Sequence, residues 1–337
     1  MKIVSICRPS PGTDDYPIFL RFLDYDKTTF NFDDRNYGYT LGGDANLFFR
    51  IYFRLIRFYL KNKFNKEIEN YIKSDSPDLL FIFNGSYIRE ETIDLAIKNK
   101  IFVVFYYPDL DPKIHGQKYL NSLSKANLLF YTKPNLISYF EKINPSSQLI
   151  KPLISKNFIG EIEHSDSEIG VLLVAHYSKG KSQLLNLFCN YYKKRITLVG
   201  SNWNKCKYLE RNKMINYIGP LFGYRVFSLY KKAICCLGFL MEAINNNKTG
   251  DLITVRSFNI PAYGGLLLHP RNKESEKLYG SDAKYLFSNI KQLSELAFEI
   301  SNNELFRKKL FAHQHRAVLK NCNYAEDLVD GIIERLN

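Results

Sequence analysis

The sequence predicts an α/β protein made of two Rossmann-like halves. Two sets of short apolar runs alternate with segments of helical character, which is typical of parallel sheets with crossover helices. A polar and weakly periodic stretch separates the two sets. At 337 residues the chain is also longer than one hydrophobic core comfortably fills, and this favours two domains.

The first half contains four strand-like apolar runs, each followed by a polar or helix-like segment. The runs are KIVSIC, PDLLFIF, IFVVFYY and NLLFYT. They predict a first Rossmann-like domain over residues 1–150. The stretch KPLISKNFIGEIEHSDSE that follows has the composition of a connection, so residues 151–168 are predicted as a linker.

The second half repeats the alternation. Its strand-like runs are IGVLLVAH, RITLVGS, INYIG, AICCLGF and GGLLLHP, and they predict a second Rossmann-like domain over residues 169–322. Helical patterns follow at 290–303 and 305–319, and residues 323–337 form a last helix. Because such folds bind ligands at the carboxyl ends of their strands, we expect the ligand crevice between the halves.

The composition and the cysteine pattern favour a cytoplasmic location for the protein. Apolar residues make 45% of the chain, and no stretch reaches 18 uncharged apolar positions, which argues against a transmembrane helix. The start MKIVSICRPSPG is too short for a signal peptide, so a cytoplasmic protein is expected. Six cysteines without a C-x-x-C pair predict free thiols.

A formal net charge of +13 indicates an anionic partner, which could be a nucleotide, a nucleic acid or an anionic lipid. Zinc-finger spacing, an aromatic RNA-binding strand and a helix-turn-helix signature are all missing from the sequence. Nucleic acid is therefore left only as a target of non-specific attraction.

The segment GDLITVRSFNIPAYGGLLLHP, residues 250–270, is the most informative. Asp251 can accept from sugar hydroxyls, and Arg256 can fork onto phosphate oxygens. Gly264 and Gly265 would let backbone N–H groups approach a ligand. The alternative is an ordinary turn between a helix and a strand, with a solvated acid and arginine.

The pattern D-(x)4-R-S-F-N-I-P-A-(x)-G-G closely resembles a segment of the spore-maturation-type (CgeB-like) glycosyltransferases. The resemblance is specific over residues 250–296 and looser elsewhere. It implies the GT-B architecture, in which two Rossmann-like domains face each other across a cleft and a C-terminal helix crosses back to the first. One departure is Asn259, where the family has a glutamate; an amide still accepts hydrogen bonds but without charge assistance.

The resemblance also implies residue roles in the binding of a nucleotide-sugar donor. Asp251 would contact the donor sugar and Asn259 the ribose, while amides near Gly264 and Gly265 would contact the phosphates. Arg256 would neutralise the leaving diphosphate. The family further implies retention of anomeric configuration, no essential metal and no cofactor, since the nucleotide sugar is a substrate.

The loop HYSKGKSQLL follows a predicted strand and contains Lys179 and Lys181 ahead of a helix predicted to start near Ser182. It is a candidate phosphate cradle but no P-loop, because the motif would need glycine at Ala175. Within the resemblance, both lysines lie against the donor diphosphate. The alternative is a pair of solvated lysines, although positive charge opposes the helix dipole there unless an anion binds.

The run FYYPDLDP places Asp109 and Asp111 after a predicted strand. The D-x-D spacing resembles the metal motif of the other main glycosyltransferase fold, which lacks the segment at 250–270. We expect instead that Asp109 orients or deprotonates an acceptor hydroxyl. A turn with capping carboxylates remains the alternative.

The run ANLFFRIYFRLIRFYLKNKF predicts a helix with a basic stripe among aromatic and aliphatic residues. The stripe consists of Arg50, Arg54, Arg57 and Lys61. One interpretation packs the apolar residues on the first sheet and leaves the stripe solvated. The other docks the helix, with these cations facing the lipid, on an anionic membrane, which would bring a lipid-linked acceptor to the protein.

These patterns predict a cytoplasmic glycosyltransferase of bacterial surface-polysaccharide type, bound peripherally to the inner face of the membrane. It would move a sugar from a nucleotide-sugar donor to a saccharide acceptor, free or lipid-linked. A catalytically inactive binding or scaffold protein of the same fold is the first alternative, because of Asn259. A polyanion-binding protein is the second.

Overall fold

The computed structural model describes residues 1–9, 13, 15–33, 47–109, 112–160, 169–209, 212–239 and 252–336. The chain divides into two compact units. The first consists of Met1–Lys151 together with Ala325–Asn337, and the second of Pro152–Tyr324.

The first unit is built on a six-stranded sheet. Its strands are β1 (Ile3–Ile6), β2 (Phe30–Asn31), β3 (Leu79–Phe83), β4 (Phe102–Tyr107), β5 (Leu128–Tyr131) and β6 (Ser147–Leu149). The helices of residues 1–151 are α1 (Asp15–Tyr25), α2 (Leu47–Asp75), α3 (Glu90–Lys98), α4 (Gln117–Lys125) and α5 (Ile137–Ile143). The strand order is β2-β1-β3-β4-β5-β6, and every neighbouring pair is parallel.

The four apolar runs of the first half form β1, β3, β4 and β5, which confirms the prediction for this sheet. These strands are buried because helices cover both faces of a parallel sheet, and their side chains are therefore apolar almost without alternation. The sequence did not predict β2 and β6, which are two and three residues long and carry polar side chains.

The second unit contains a second six-stranded parallel sheet and a separate pair of strands. The strands of the sheet are β8 (Val171–Val174), β9 (Ile196–Val199), β10 (Ile215–Tyr217), β11 (Cys235–Leu237), β12 (Leu267–Pro270) and β13 (Leu286–Phe287). The strands of the pair are β7 (Leu153–Ile154) and β14 (Asn323–Tyr324). The helices are α6 (Lys179–Tyr192), α7 (Tyr224–Lys232), α8 (Val255–Ala262), α9 (Lys273–Tyr279), α10 (Ile290–Asn302) and α11 (Glu304–Asn321). The order β10-β9-β8-β11-β12-β13 is that of the Rossmann fold, while β7 and β14 form a separate parallel pair.

Part of the predicted linker is an ordered piece of the second unit. Strand β7 pairs with β14, the backbone N–H of Ser155 donates to the hydroxyl of Tyr263 at 3.0 Å, and that of Gly160 donates to the carbonyl of Ala262 at 2.9 Å. The linker prediction followed the polar composition of this stretch, which does not show that backbone hydrogen bonds fix it to the second unit. Residues 161–168 lie outside the described residues.

The end of the chain belongs to the first unit. Helix α12 (Ala325–Glu334) buries Val329, Ile332 and Ile333 and packs against α1. A two-pronged ion pair joins the two helices, since Arg21 Nε and Nη2 donate to the carboxylate of Asp330 at 2.7 and 3.0 Å. The boundary therefore falls between residues 324 and 325.

The cysteines and two of the histidines are structural. All six thiols are free, as predicted, and burial raises the pKa of Cys235 to about 12. In α11, His315 Nδ1 hydrogen-bonds the Pro261 carbonyl at 2.7 Å and His313 Nδ1 the Tyr285 hydroxyl at 2.9 Å. The described part of the chain contains no group of three His, Cys, Asp or Glu side chains that could hold a metal ion.

Candidate functional site

The strand order of the second sheet reverses between β8 and β11. In such sheets the chain leaves neighbouring strands in opposite directions, and the carboxyl ends of these strands border a ligand-binding crevice. The loop after β8 leads into α6, and the chain after β11 leads to α8. The candidate binding residues of this unit therefore lie around these two loops.

Helix α6 begins earlier than the sequence indicated, at Lys179 and not near Ser182. Its cap is Ser178, whose hydroxyl accepts from the backbone N–H of Lys181 at 3.2 Å. Lys179 and Lys181 thus occupy the first turn, and Lys181 Nζ lies 3.4 Å from the carbonyl of His176. Two cations at the positive end of a helix dipole favour an anionic ligand there.

A cluster of polar side chains that the sequence did not predict as part of the site joins the loop after β8 to the loop after β9. His176 Nδ1 is 2.6 Å from Ser201 Oγ, and the amide nitrogen of Asn202 donates to His176 Nε2 at 3.2 Å. Because Nε2 accepts, Nδ1 carries the hydrogen and donates to the serine. Both partners directly follow β9, and this position after an apolar run was the signal available in the sequence.

Arg256 is the second residue of α8, and its Nη1 donates to the carbonyl of Val174, the last residue of β8, at 2.6 Å. The bond fixes the guanidinium at the carboxyl end of β8, beside the point where the strand order reverses. The start of α8 is thereby tied to the strand whose loop carries Lys179 and Lys181.

The buried side chain of His269 is hydrogen-bonded to the first turn of α8. Its Nε2 accepts from Ser257 Oγ at 2.9 Å, and its Nδ1 donates to the carbonyl of Pro270 at 2.8 Å. Ser257 Oγ in turn accepts from the backbone N–H of Thr254 at 3.0 Å. Burial, reinforced by the charge of Arg256, lowers the pKa of His269 to about 4, so the ring is neutral at pH 7. The sequence analysis did not identify this support.

Asn259 lies one turn further along α8 and is 9% exposed. Its side-chain oxygen is buried and has no hydrogen-bond partner among the described residues. Since buried polar atoms in folded proteins are nearly always paired, such an acceptor is suited to a hydrogen-bond donor from a ligand. Asp251, which was expected to act with it, lies outside the described residues.

The surroundings of Gly264 and Gly265 do not favour the expected phosphate contacts. Both are buried at the carboxyl end of α8, ahead of β12, whereas phosphate-binding amides belong to helix N-termini. The N–H of Gly265 is used by the carbonyl of Ile260 at 2.8 Å. Gly264 has φ +95°, and a Cβ there would approach the Lys231 side chain to 2.8 Å. The pair ends the helix and allows close packing.

In the first unit, Asp109 follows β4 and is exposed. Asn84, which follows β3, donates through Nδ2 to the Asp109 carboxylate at 2.5 Å. The Asn84 backbone is left-handed, with φ +63°, and its carbonyl accepts from the hydroxyl of Tyr119. The Asp109 carboxylate is thus anchored at the carboxyl edge of the first sheet, while Asp111 lies outside the described residues. The Asn-Gly pair after PDLLFIF was the overlooked signal.

Helix α2 exposes an apolar face. Phe48 is 85% and Phe58 is 75% exposed. The residues at helical spacing along this face form what we call the apolar stripe, and they are Phe48, Ile51, Tyr52, Phe58 and Tyr59. Apolar residues were expected to pack inward in one interpretation, and these do not.

Arg57 and Lys61 lie on another side of α2. Lys61 is half-buried, and the guanidinium of Arg57 lies 5.6 Å from the ring centre of Tyr87, in the loop after β3. This side continues the line of Phe64, Ile68 and Ile72, which pack into the core. A membrane-facing role for Arg57 and Lys61 therefore does not match the exposed apolar stripe. The side chains of Arg50 and Arg54 lie outside the described residues.

Comparisons with known proteins agree with this architecture. Residues 182–330 match a family model described as "Glycosyl transferase-like", which covers most of the second unit. A search of curated protein sequences gave no significant match.

Solved structures resemble the chain over nearly its whole length. The S. aureus MnaA–UDP structure is 17% identical, with a TM-score of 0.56, covering 100% of this chain and 97% of that one. Anabaena HepE in complex with UDP-glucose is 12% identical, with a TM-score of 0.62 and coverages of 99% and 100%. A trehalose-6-phosphate protein of E. coli bound with UDP-2-fluoro glucose is 11% identical, with a TM-score of 0.65 and coverages of 100% and 99%.

The chain therefore has the GT-B fold of two Rossmann-like domains. Its second unit is similar to glycosyl transferase-like proteins in sequence as well. The resemblance to the CgeB-like family in particular is carried by the segment at 250–296 alone.

Proposed function

We propose that the protein is a glycosyltransferase that moves a sugar from a nucleotide-sugar donor to a saccharide acceptor. The main supporting observation is the guanidinium of Arg256, held on the last residue of β8 beside the reversal of the strand order. It lies within the residues matched by the glycosyl transferase-like model. The three structures described above contain UDP or a UDP-sugar, which makes UDP the first nucleotide to test.

The donor binds the second unit in this proposal. Arg256 and Lys181 stabilise the diphosphate as its negative charge grows during bond breaking, and Lys179 contributes attraction. The unpaired oxygen of Asn259 accepts a hydrogen bond from a ribose hydroxyl. Asp251 contacts the donor sugar. Transfer needs neither a metal nor a cofactor, because cations of the protein carry the diphosphate charge. The resemblance to the CgeB-like family implies that transfer retains the anomeric configuration.

The acceptor binds the first unit. Asp109 orients the attacking hydroxyl and removes its proton, and the Asn84 amide holds the carboxylate in place. An anchored carboxylate has fewer conformations to lose when the acceptor binds, and this is the contribution of positioning to catalysis.

We assign the activity to bacterial surface-polysaccharide synthesis on the cytoplasmic face of the plasma membrane, with a free or lipid-linked saccharide as the acceptor. No helix among the described residues is long and apolar enough to cross a membrane. The apolar stripe on α2 supports peripheral attachment, because aromatic side chains can bury their rings at a membrane interface.

The donor assignment is tested by a thermal-shift screen over UDP, GDP, dTDP and CMP with the wild type, Asn259→Leu and Asn190→Leu. A nucleotide that binds only the folded state raises the melting temperature. We expect Asn259→Leu to lose most of that rise without lowering the melting temperature of the free protein, since it removes an unpaired buried acceptor. Asn190 is exposed on α6, and its variant should behave as the wild type. A full response in Asn259→Leu would contradict the ribose contact.

A catalytically inactive binding protein of the same fold is the second candidate, motivated by the amide at Asn259 in place of the family's glutamate. Hydrolysis of the bound nucleotide sugar without acceptor separates the two. Slow release of free sugar supports the enzyme, and binding without any turnover supports the second candidate. A polyanion-binding protein would instead ignore nucleotide sugars and show a steep salt dependence.

A further inference from the structure

We infer that the first unit has an anion site, formed by Arg57, Lys61 and Arg89, that takes a phosphate group of the acceptor. The inference rests on the proposed function in one respect, which is the identity of the ligand as the acceptor. The site itself is argued from the charges and contacts of the first unit.

A buried asparagine holds the site together. Asn65 is fully buried, and its side-chain nitrogen donates to the carbonyls of Lys61 and Tyr87 at 2.8 and 3.0 Å. Its oxygen accepts from the backbone N–H of Arg89 at 2.7 Å and from the Thr92 hydroxyl at 2.9 Å. The bonds to Tyr87 and Arg89 join α2 to the loop between β3 and α3, and the bond to Thr92 joins it to α3, so the cations of α2 and of the loop are held together.

Lys61 is half-buried, and its ammonium makes no hydrogen bond or ion pair with any described residue. Burial lowers the pKa of Lys61, and the charges of Arg57 and Arg89 lower it further. Glu91 acts in the opposite direction, but its carboxylate is engaged by Lys118 at 3.2 Å and by its own backbone N–H. A cation partly removed from water among like charges is unfavourable unless an anion compensates it.

The two arginines add further positive charge beside Lys61. Arg57 is exposed, lies over the ring of Tyr87 and makes no ion pair within the described part of the chain. Arg89 donates to Glu69 at 2.7 Å and to Asn62 at 3.2 Å, while its buried Nε has no hydrogen-bond partner among the residues that the structure describes. Three cations thus meet beside carboxylates that are already engaged. A phosphate offers several acceptor oxygens and a compensating charge in one group.

The place of the site in the fold points to the acceptor. The strand order of the first sheet reverses between β1 and β3, so the loop after β3 borders the expected ligand crevice of this unit. The loop begins at Asn84, which holds Asp109, and it ends at Arg89. A phosphate bound by the three cations therefore belongs to the molecule whose hydroxyl Asp109 would activate. The ligand class is a phosphorylated saccharide, either a soluble sugar phosphate or a saccharide on an isoprenoid lipid phosphate.

The test is a titration with inorganic phosphate at constant ionic strength, followed by melting temperature and by phosphorus NMR. The proteins are the wild type, Lys61→Gln, Arg57→Gln and the matched control Lys66→Gln, in which an exposed lysine of the same helix is replaced. We expect phosphate to bind about 10- to 100-fold more weakly to the first two variants and unchanged to the control. Equal binding in Lys61→Gln and wild type would overturn the site.

Two further measurements separate the possible failures. Nucleotide binding to the second unit should be unchanged in Lys61→Gln and Arg57→Gln, which also shows that they fold. If phosphate binding depends on Lys61 while no nucleotide binds, the anion site stands and the glycosyltransferase proposal fails. If nucleotide binds and phosphate binding does not depend on Lys61, the glycosyltransferase proposal stands and the anion site fails.

The ligand source is resolved by three probes, namely a sugar 1-phosphate, a short isoprenoid phosphate and anionic vesicles without acceptor. Lys61-dependent binding of the sugar phosphate alone identifies a soluble acceptor, and binding of the isoprenoid phosphate identifies a lipid-linked one. Both outcomes support the site. If Lys61→Gln weakens only vesicle binding, the cations serve lipid headgroups and the acceptor assignment is overturned.

Discussion

At the scale of single residues, Arg256 combines a structural contact with a proposed catalytic one. One of its five N–H groups is used by the Val174 carbonyl, so the residue joins α8 to β8 whether or not a ligand is bound. A loss of activity in a variant therefore has to be separated from a loss of stability. Lysine at this position would keep the charge but lose the planar fork.

We predict that Arg256→Ala raises the barrier of transfer by about 2 to 4 kcal/mol, because a charge that stabilises the leaving diphosphate is removed. Loss of the bond to Val174 should also lower the unfolding free energy by about 1 to 3 kcal/mol. Rates at saturating donor and urea melts measure the two effects. Arg316→Ala, at an exposed position of α11, is the control and should change neither. Wild-type rates in the Arg256 variant would remove it from the mechanism.

His269 predicts how stability depends on pH. Its pKa in the folded protein is about 4, below the ordinary value of 6.5. As the pH falls, the unfolded chain binds a proton before the folded one does, so this contribution is complete above about pH 6.5 and is lost towards pH 4. The loss should reach roughly 3 kcal/mol of unfolding free energy.

The measurement is urea unfolding at pH 7, 5 and 4 with wild type and His269→Asn, which keeps a donor for the Pro270 carbonyl. The variant should be less stable at pH 7, and the gap should narrow as the pH falls. A constant gap would mean that the pKa of His269 is the same in the folded and the unfolded protein.

Several candidate site residues could be selected from the sequence because their chemistry is local. Arg256, Asn259, Lys179 and Lys181 stand in recognisable patterns next to predicted elements. The partners that orient them could not be selected in this way. His269 is 12 residues from Ser257, and Val174 is 82 residues from Arg256, so only the fold brings them into contact.

At the scale of elements, α2 shows why periodicity alone did not decide which face is buried. The helix has 29 residues, and among its described side chains it is the later ones, Phe64, Ile68 and Ile72, that pack into the core. Its earlier part carries both a basic side and the apolar stripe, and either could have been buried. The polar anchor at Asn65 decides that the basic side meets the loop after β3.

We predict that the apolar stripe binds anionic vesicles. Replacing Phe48, Phe58 and Tyr59 together with serine should lower vesicle binding at least tenfold, since each aromatic ring buried at an interface contributes about 1.5 to 3 kcal/mol. Sedimentation at low and high salt measures the effect. Phe298→Ser, at an exposed aromatic of α10, is the control and should not alter binding. A wild type that ignores such vesicles at low salt would show that the stripe has another partner.

At the scale of the whole molecule, the proposed mechanism depends on protein cations rather than on a metal ion. We predict that transfer activity survives EDTA, because Arg256 and Lys181 carry the diphosphate charge. The measurement is the transfer rate with EDTA and after addition of manganese or magnesium. Activity abolished by EDTA and restored by manganese would show a metal site, for which Asp109 and Asp111 are the first candidates.

The sequence by itself determined the fold class, most strands of both sheets, the segment carrying the resemblance and the free thiols. Parallel strands are buried on both faces and long apolar runs therefore mark them, while the helix between two such strands follows from local periodicity. Each of these signals is contained within a few neighbouring residues.

Only the tertiary structure decided the strand orders, the assignment of α12 to the first unit, the placement of Gly264 and Gly265 at a helix end, and the clustering of Arg57, Lys61 and Arg89. These depend on contacts between residues far apart in the chain, whose energies come from burial and from specific hydrogen bonds such as those of Asn65. The sequence shows which chemical groups the side chains offer for contacts. The packing of the elements determines which of them meet.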